Sequence, residues 1–208
     1  MHTSTCQPLH FLTSIFLSIQ VLYDSTNGPT WKNNTYWDFS DPNVDPCSPL
    51  WYGLTCTSDG NAIKGLYLSN NNLQGTLSNE MFGVFNQSLV HLSLAANILH
   101  GTLPDTVYGL TELGHLNVSR NSFTGTIPNN IGNMQQLRNL SMFHNMLDGT
   151  LTDRIGDLRN ITFIALYNNS ITGEIPSSIG NLDQLNFLSI RDNPIHGMVT
   201  QPLFCNIL

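Results

Sequence analysis

One asparagine-centred motif recurs along most of the chain and limits what the chain can fold into. The asparagines are Asn71, Asn97, Asn121, Asn145, Asn169 and Asn193, with a first gap of 26 residues and four gaps of 24. Self-similarity at a fixed period of this length predicts a solenoid, in which each repeat forms one coil and packs mainly against its neighbours.

The repeat that contains Asn121 shows how one coil is built. Leu116 and Val118 alternate with polar residues, which is typical of a short strand with one buried face. Phe123 and Ile127 supply further apolar side chains from the returning part of the coil. Stacked coils can bury these side chains, each of which then contributes roughly 1.5–3 kcal/mol. We expect the strands of successive coils to pair in parallel, about 4.8 Å apart.

The six asparagines are interpreted as structural rather than catalytic. Each lies just beyond a strand, where an inward side-chain amide can bond the backbone groups of an irregular turn. Six stacked copies would form a side-chain ladder worth about 1 kcal/mol per hydrogen bond.

The composition restricts the partners of this chain. Charged residues make up 10% of it, the net charge is −7, and Lys and Arg together number 7. Phosphate binding needs clustered cations, so the composition argues against a nucleic-acid partner. No run of 18 apolar residues is present, so we expect no membrane-spanning helix in this chain. Asn, Ser, Thr and Gly replace charged residues and indicate a neutral, hydrogen-bonding surface.

The cysteine positions suggest one disulfide. The cysteines are Cys6, Cys47, Cys56 and Cys205. Cys47 and Cys56 bracket a short loop beside Trp51, and a disulfide there would contribute roughly 2–3 kcal/mol. Buried free thiols are the alternative. A disulfide would indicate an oxidising compartment, hence a secreted or cell-surface protein.

Six glycosylation sequons agree with that compartment. Their asparagines are Asn33, Asn86, Asn117, Asn139, Asn160 and Asn168. Asn33 and Asn86 are the strongest candidates, because a glycan at Asn117 or Asn168 would cover the face of the predicted sheet.

Residues 1–22 have two interpretations. The apolar stretch 11–22 has the character of a secretory signal, but it lacks an upstream Lys or Arg and a small-residue cleavage site. The spacing of Leu12, Ile15, Phe16, Ile19 and Leu22 instead favours an amphipathic helix that covers the open end of the solenoid. In that case a signal would lie upstream in a longer product, or the start codon is misassigned.

Residues 23–62 contain no repeat and are predicted to form an amino-terminal cap. A solenoid needs such a cap because its first coil would otherwise expose the core. The segment is rich in aromatic residues, and we expect its loops to pack on a cluster of Trp31, Trp37, Trp51 and Tyr52.

Two stretches of the cap and the coil motif resemble a known family. LYDSTNGPTWKNNTYW and DPCSPLWYGLTC are similar to the amino-terminal cap of plant-type leucine-rich repeat proteins. The coil pattern N-x-L-x-G-x-[IL]-P resembles the plant-specific subtype of the repeat, and the resemblance covers residues 12–208. The cap form LY-x-x-T-x-G-x-x-W looks more like algal and protist versions. Ser78, Thr152 and Thr200 depart from the pattern because they replace the coil proline.

The repeat and the resemblance together predict an α/β solenoid. The expected fold is a right-handed leucine-rich repeat superhelix with a parallel sheet on its concave face, built from a cap and about six coils of about 24 residues over residues 63–208. The resemblance also implies a second sheet around residues 101–104 and their equivalents.

The carboxyl end stops within a coil. The last repeat is incomplete, and Cys205 has no evident partner for the paired-cysteine cap that related proteins carry. An uncapped apolar edge would favour association, so we expect a fragment of a longer product or a truncated gene model.

Outward positions of the concave sheet form the candidate ligand-binding surface. Those with binding chemistry are Tyr67, His91, His115, Arg120, Arg138, Phe143, His144, Phe163, Tyr167, Phe187 and Arg191. We expect Phe143, Phe163, Tyr167 and Phe187 to form one aromatic patch in adjacent coils, rimmed by Arg120, Arg138 and Arg191. The alternative is that these rings only strengthen cross-strand packing.

No catalytic or metal motif is recognisable. The sequence lacks a glycine-rich phosphate loop, G-x-S-x-G and H-E-x-x-H, so we expect neither an enzyme nor a cofactor. His91 and His115 occupy equivalent positions on neighbouring strands, but two ligands without a third make a poor metal site.

The sequence therefore predicts an extracellular recognition module. The resemblance implies a protein or peptide ligand, with a cell-wall glycan as a further candidate, and it implies the ectodomain of a receptor-like kinase or receptor-like protein. A co-receptor or self-association is also compatible with the sequence. The main alternative is a secreted inhibitor of a wall-degrading enzyme such as polygalacturonase, and a second is a structural or adhesive matrix protein. A membrane helix and kinase beyond residue 208 would favour the receptor, whereas a cysteine cap and stop codon would favour the inhibitor.

Overall fold

The computed structural model describes residues 9–41, 44–47 and 51–197. One α-helix, α1 (Leu9–Ser25), precedes the strands. The strands are β1 (Leu54–Cys56), β2 (Ile63–Tyr67), β3 (Gln74–Gly75), β4 (His91–Ser93), β5 (Ile98–Thr102), β6 (His115–Asn117), β7 (Ser122–Gly125), β8 (Asn139–Ser141), β9 (Met146–Leu147), β10 (Phe163–Ala165), β11 (Gly173–Glu174), β12 (Phe187–Ser189) and β13 (Ile195–His196).

The principal sheet has seven strands in the order β1-β2-β4-β6-β8-β10-β12. The strands from β2 onward pair in parallel, and the register aligns Leu92, Leu116, Leu140, Ile164 and Leu188. These five side chains point into the core because they alternate with the outward residues of each three-residue strand. The chain is therefore an α/β solenoid of the leucine-rich repeat type, as the repeat period predicts.

A second, shorter sheet follows the first in each coil. Its strands are ordered β3-β5-β7-β9, and β11 pairs with β13. The sheet lies slightly earlier than the sequence predicts, because β5 ends at Thr102. Leu103 then turns into the core, and Pro104 starts the next helical turn without an N–H to offer a sheet.

The returning segments are 3-10 helices rather than α-helices. They span Asn79–Met81, Gly83–Phe85, Asp105–Gly109, Asn129–Asn133, Asp153–Asp157 and Ser177–Asn181. Each five-residue turn buries an apolar side chain at its centre, for example Ile131 or Ile155. Because a 3-10 turn is short, it closes the coil within its 24-residue period.

The repeated asparagines bond the backbone of their own coil and of the preceding coil. The Asn121 carboxamide accepts a hydrogen bond from the Leu99 N–H at 3.0 Å and donates to the carbonyls of Leu94 at 2.9 Å and Val118 at 3.1 Å. Asn97, Asn145, Asn169 and Asn193 repeat this arrangement. The predicted side-chain ladder is thus a ladder between side chains and backbone, because these amides bond backbone groups; where two of the asparagines meet, the Asn97 side-chain carbonyl accepts from the Asn71 N–H at 2.9 Å.

The cap closes the first coil from three directions. Ile15, Phe16, Ile19 and Leu22 of α1 belong to the same core cluster as the coils, and Ser18 Oγ donates to the Glu80 carbonyl at 3.1 Å. Strand β1 pairs antiparallel with β2 and so covers that edge of the sheet. Cys47 and Cys56 form a disulfide with their Cα atoms 5.9 Å apart.

The aromatic cluster of the cap differs in membership from the expectation. Trp31, Trp37 and Trp51 are buried and pack edge to face with Phe39 and Tyr23. Tyr52 is not part of this cluster, because its side chain is exposed and only its carbonyl takes part, accepting from the Trp37 indole at 2.9 Å. Phe16 of α1 also packs edge to face with Phe39 and Trp51.

Two expectations fall outside the described residues. One concerns the side chain of Leu12. The other concerns the incomplete last coil, which contains Thr200 and Cys205. Within the described part of the chain, no helix combines the length and hydropathy that a bilayer crossing needs.

Candidate functional site

The outward residues of the principal sheet form rows across its concave face. The first outward row contains His91, His115, Asn139, Phe163 and Phe187, which are paired in register. At the start of this row stands Gly65, and a Cβ atom there would lie 2.5 Å from the ring of Tyr67. The absent side chain of Gly65 therefore lets the Tyr67 ring lean into the row beside His91.

Three rings at the amino-terminal end of this row form the histidine stack, defined as Tyr67, His91 and His115. The His91 and His115 rings are stacked with centroids 4.5 Å apart and an interplanar angle of 10°. Tyr67 lies 5.7 Å from His91. The stack borders a shallow pocket of about 230 Å³ whose floor contains Ser93 and Asn117.

The environment of His91 disfavours its charged form. Partial burial lowers the pKa of His91 below its ordinary value, and the nearby positive charges of His115 and Lys64 lower it further. Two parallel rings direct their nitrogen lone pairs side by side instead of toward a common point. No group of three potential metal ligands occurs among the described residues.

Four side chains further along the face form the arginine–ring stack, defined as Arg120, Phe143, Tyr167 and Arg191. The Phe143 and Tyr167 rings are stacked with centroids 4.5 Å apart and an interplanar angle of 6°. The Arg120 guanidinium lies 5.9 Å from the Phe143 centroid, and the Arg191 guanidinium lies 4.9 Å from the Tyr167 centroid. Each end of the aromatic pair is thus covered by a cation.

A second aromatic pair lies in a different row. Phe163 and Phe187 stack with centroids 4.4 Å apart, and they belong to the first outward row. Phe143 and Tyr167 each lie four residues after the first-row residue of their own coil, Asn139 and Phe163. Four residues correspond to roughly 13 Å on an extended strand. The four rings therefore form two pairs rather than the one patch that the sequence suggested, and the small residues Ser141 and Ala165 lie between them.

The three arginines of the expected rim are not equivalent. Arg120 and Arg191 stack on rings where the strands end. Arg138 precedes β8, beside Glu112 and Gln136, and so lies at the opposite end of the strands. His144 contacts the edge of the Tyr167 ring at 5.5 Å and therefore joins the arginine–ring stack laterally.

A backbone feature that the sequence reasoning missed places some of these side chains. The residue before each repeated asparagine has left-handed backbone, with φ between 53° and 56° at Asn70, Ala96, Arg120, His144, Asn168 and Asp192. Asn, Asp and His tolerate this conformation better than most residues. Asn, Asp or His precedes the repeated asparagine at four of these six positions, and this recurrence is the sequence signal that could have predicted the left-handed backbone.

Charge is distributed unevenly over the described surface. Lys64, Arg120, Arg138 and Arg191 lie on or beside the concave face, whereas two acidic residues of the described part lie there, Asp192 next to Arg191 and Glu112 beside Arg138. The remaining described acidic residues lie in the cap, the 3-10 helices, the second sheet and the turns between elements. A protein of net charge −7 thus presents a basic concave face.

The sequon asparagines fall into two groups. Asn117 and Asn139 lie in β6 and β8, where each side-chain carbonyl accepts from the serine hydroxyl of its own sequon, at 2.6 and 3.1 Å. Asn168 lies 3.4 Å from the His144 ring nitrogen. Asn33 and Asn86 lie outside the concave sheet, and the Asn160 amide donates to the Gln135 carbonyl at 2.8 Å. Glycosylation at all six remains a prediction.

Comparison with known families agrees with the repeat architecture. A family profile described as leucine rich repeat matches residues 87–147, and a second profile of the same description matches residues 62–84 and 160–182. Together these matches span about half of the chain.

Solved structures with the same fold include three from plants. One is the BIR3–SERK2 complex from Arabidopsis thaliana, with 26% identity over 87% of this chain and 94% of that chain and a TM-score of 0.72. The BIR2 ectodomain from Arabidopsis thaliana has 22% identity over 91% of this chain and 96% of that one, with a TM-score of 0.75.

A third structure is the plant peptide hormone receptor RGFR1 in complex with RGF2. It has 27% identity over 70% of this chain, with a TM-score of 0.60. The matched part is 26% of the RGFR1 chain, so this chain corresponds to about a quarter of that receptor. The repeat matches and these structures together show that the chain belongs to the leucine-rich repeat family and is similar to its plant-type members.

Proposed function

We propose that this chain is an extracellular recognition module that binds a peptide or protein on its concave face. The carrying observation is the aromatic and basic surface of that face, where two stacked ring pairs and two ring-stacked arginines face solvent. A solenoid needs apolar residues inside its coils, but it has no structural need for aromatic side chains outside them. Such side chains are typical anchors of binding surfaces.

The similar solved structures support this proposal, because they share the fold and include complexes with a peptide or protein. RGFR1 is a peptide hormone receptor solved with RGF2, and BIR3 is solved with SERK2, so related solenoids bind a peptide or another such protein. The Cys47–Cys56 disulfide supports an oxidising location. On this proposal the module acts by binding and not by catalysis, as part of a receptor-like protein at the cell surface.

The experiment uses the full 208-residue chain, secreted from eukaryotic cells and immobilised. A displayed library of random dodecapeptides is selected on it, and the affinities of the enriched peptides are measured in solution. The test variant is F143S/Y167S, which removes the partly buried aromatic pair of the arginine–ring stack. The matched control is I98S/M146S, which removes two exposed apolar side chains, 54% and 50% exposed, from the second sheet.

The proposal predicts that enriched peptides lose most of their affinity for F143S/Y167S and keep it for the control. Thermal unfolding should stay nearly unchanged in both variants, since these side chains lie outside the core. Equal binding to the wild type and F143S/Y167S, or no enrichment at all on the wild type, would contradict the proposal.

A further inference from the structure

The electrostatics of the concave face narrow the class of ligand. The chain carries a net charge of −7, yet four of its lysines and arginines lie on or beside this face, where the described part has two acidic residues, Asp192 and Glu112. A basic surface attracts anionic partners. The ligand that complements this face is therefore negatively charged.

The arginine–ring stack fixes where that negative charge would sit. A guanidinium that lies over a ring uses its face for the contact and keeps its in-plane N–H donors available. The rings also restrict the arginine side chains, so that less rotamer entropy is lost when a carboxylate binds. Arg120 and Arg191 are thus held in position for bidentate carboxylate pairing.

The spacing of the two arginines sets the distance between the two negative charges of the ligand. Arg120 and Arg191 belong to coils three repeats apart, and strands repeat at about 4.8 Å, so their guanidinium groups lie roughly 15 Å apart. This agrees with the stacking distances of 5.9, 4.5 and 4.9 Å along Arg120, Phe143, Tyr167 and Arg191. An extended peptide advances about 3.3 Å per residue, so four or five residues span this gap.

We propose that the concave face binds an extended acidic peptide that runs along the solenoid, with two Asp or Glu residues four or five positions apart. One carboxylate pairs with Arg120 and the other with Arg191, and an apolar side chain between them lies against the edges of Phe143 and Tyr167. The inference rests on the function proposed above and adds the chemistry and spacing of the ligand.

The existing partner of Arg191 does not prevent this pairing. Arg191 lies 3.6 Å from Asp192, and both side chains are more than half exposed. An exposed pair of this kind contributes little to stability, so a ligand carboxylate can displace Asp192 at small cost. Arg120 has no carboxylate partner among the ion pairs of the described residues.

The ring geometry favours a peptide over an acidic glycan. Sugars stack their C–H groups on exposed ring faces, but here the faces of Phe143 and Tyr167 cover each other and the two guanidinium groups. Ring edges remain, and these suit the side chains and backbone of a peptide. An oligogalacturonate is therefore the comparison probe in the experiment.

The experiment starts from the same dodecapeptide selection on the full chain. The enriched sequences are scored for pairs of acidic residues at each spacing, and one enriched peptide is synthesised with its acidic pair intact and with both acids changed to Asn or Gln. Affinities are measured at low salt for the wild type and for Arg120→Gln, Arg191→Gln and Arg154→Gln. Arg154 is a matched control because it is an exposed arginine on the 3-10 helix Asp153–Asp157, away from the concave face.

The inference predicts enrichment of acidic pairs at spacings of four and five residues over other spacings. We expect each of Arg120→Gln and Arg191→Gln to weaken the acidic peptide about threefold to tenfold. Arg154→Gln should leave affinity unchanged, and neither concave variant should alter binding of the neutral peptide. Added salt should reduce the difference between the two peptides.

Other outcomes overturn the inference without overturning the function. The enriched peptides could be neutral, or acidic peptides could bind both arginine variants as tightly as the wild type. In either case the face would still bind peptides, but of a different class. Arginine-dependent binding of an oligogalacturonate tighter than that of any selected peptide would, by contrast, identify a glycan ligand and overturn the proposed peptide-binding function as well. Failure of F143S/Y167S to affect any enriched peptide would instead remove the proposed function itself.

Discussion

At the scale of single residues, the repeated asparagine carries the turn after each strand. Asn121 joins three backbone groups from two coils, and it does so just beneath the surface, where water cannot easily replace a lost bond. The first member, Asn71, exchanges two hydrogen bonds with the backbone of Asn33 and so ties the cap to the coils. One residue type thus stabilises both the stacking of coils and the attachment of the cap.

Replacing Asn121 with Ala should destabilise the solenoid strongly. The change removes the side-chain acceptor of the Leu99 N–H, which costs about 1–3 kcal/mol, and one donor each to the Leu94 and Val118 carbonyls, which keep bonds from Asn97 and Asn145. With about 0.5–1.5 kcal/mol for each of the two lost donor bonds, we expect a loss of about 2–5 kcal/mol in the free energy of unfolding. Urea denaturation measures it. The control is Asn130→Ala, an exposed asparagine on a 3-10 helix, and similar losses in both variants would contradict the role assigned to Asn121.

His91 shows how a neighbour on the next strand changes a titration. Its pKa is lowered first by burial, then by His115 and by Lys64. The groups that face it are Lys64 and Tyr67 on one side and His115 on the other. Because its folded pKa lies below its unfolded value, the stability that depends on neutral His91 is present above pH about 6.5 and is lost as the pH falls through the folded pKa.

Changing His115 to Gln should raise the pKa of His91 toward its ordinary value without restoring it fully, because burial remains. Titration of the His91 ring by NMR measures this shift. The loss of stability on acidification should become smaller at the same time. An unchanged His91 pKa in the variant would show that the two rings do not interact through their charges.

At the scale of elements, glycines with left-handed backbone set how closely the second sheet stacks. Gly149 has φ of 69°, and a Cβ atom there would lie 2.6 Å from the Thr126 Cγ2 of the preceding coil. Gly125 and Gly173 meet a threonine of the preceding coil in the same way. The close approach of glycine to threonine therefore repeats with the solenoid and holds the coils at their spacing.

Gly149→Ala should cost about 2 kcal/mol in the free energy of unfolding, from left-handed strain together with the contact on Thr126. Adding Thr126→Ser removes the methyl group that is struck and should recover part of the loss. Gly109→Ala serves as the control, since its Cβ would meet nothing within 4 Å and its backbone is not left-handed. Chemical denaturation of the four proteins measures this, and equal costs at Gly149 and Gly109 would refute the explanation.

At the scale of the whole molecule, the sequence predicts the stacking of coils because the core residues, asparagines and glycines recur with one period. Leu116 and Leu140 could be placed on paired strands from spacing alone, and the structure pairs them. The burial of an apolar face is local and repetitive, so periodicity determines it.

The contacts between surface side chains are less predictable, because each coil has several outward positions that can hold them. The sequence grouped Phe143 with Phe163, but the rings lie in different rows because Asn139 and Phe143 differ by four positions along the coil. The tilt of Tyr67 over Gly65 and the left-handed backbone of Arg120 also escaped prediction. Such features depend on contacts between coils, which a pattern within one coil does not contain.

The most direct test of the concave face as the binding surface is photo-crosslinking of a selected peptide to two positions of the full chain. In one protein p-benzoylphenylalanine replaces Asn139, which lies between the histidine stack and Phe163, and in the other it replaces Thr126, an exposed residue at the second sheet. The account predicts a crosslinked peptide at position 139 and none at position 126. Crosslinking at position 126 alone would place binding on the other side of the solenoid and contradict the account.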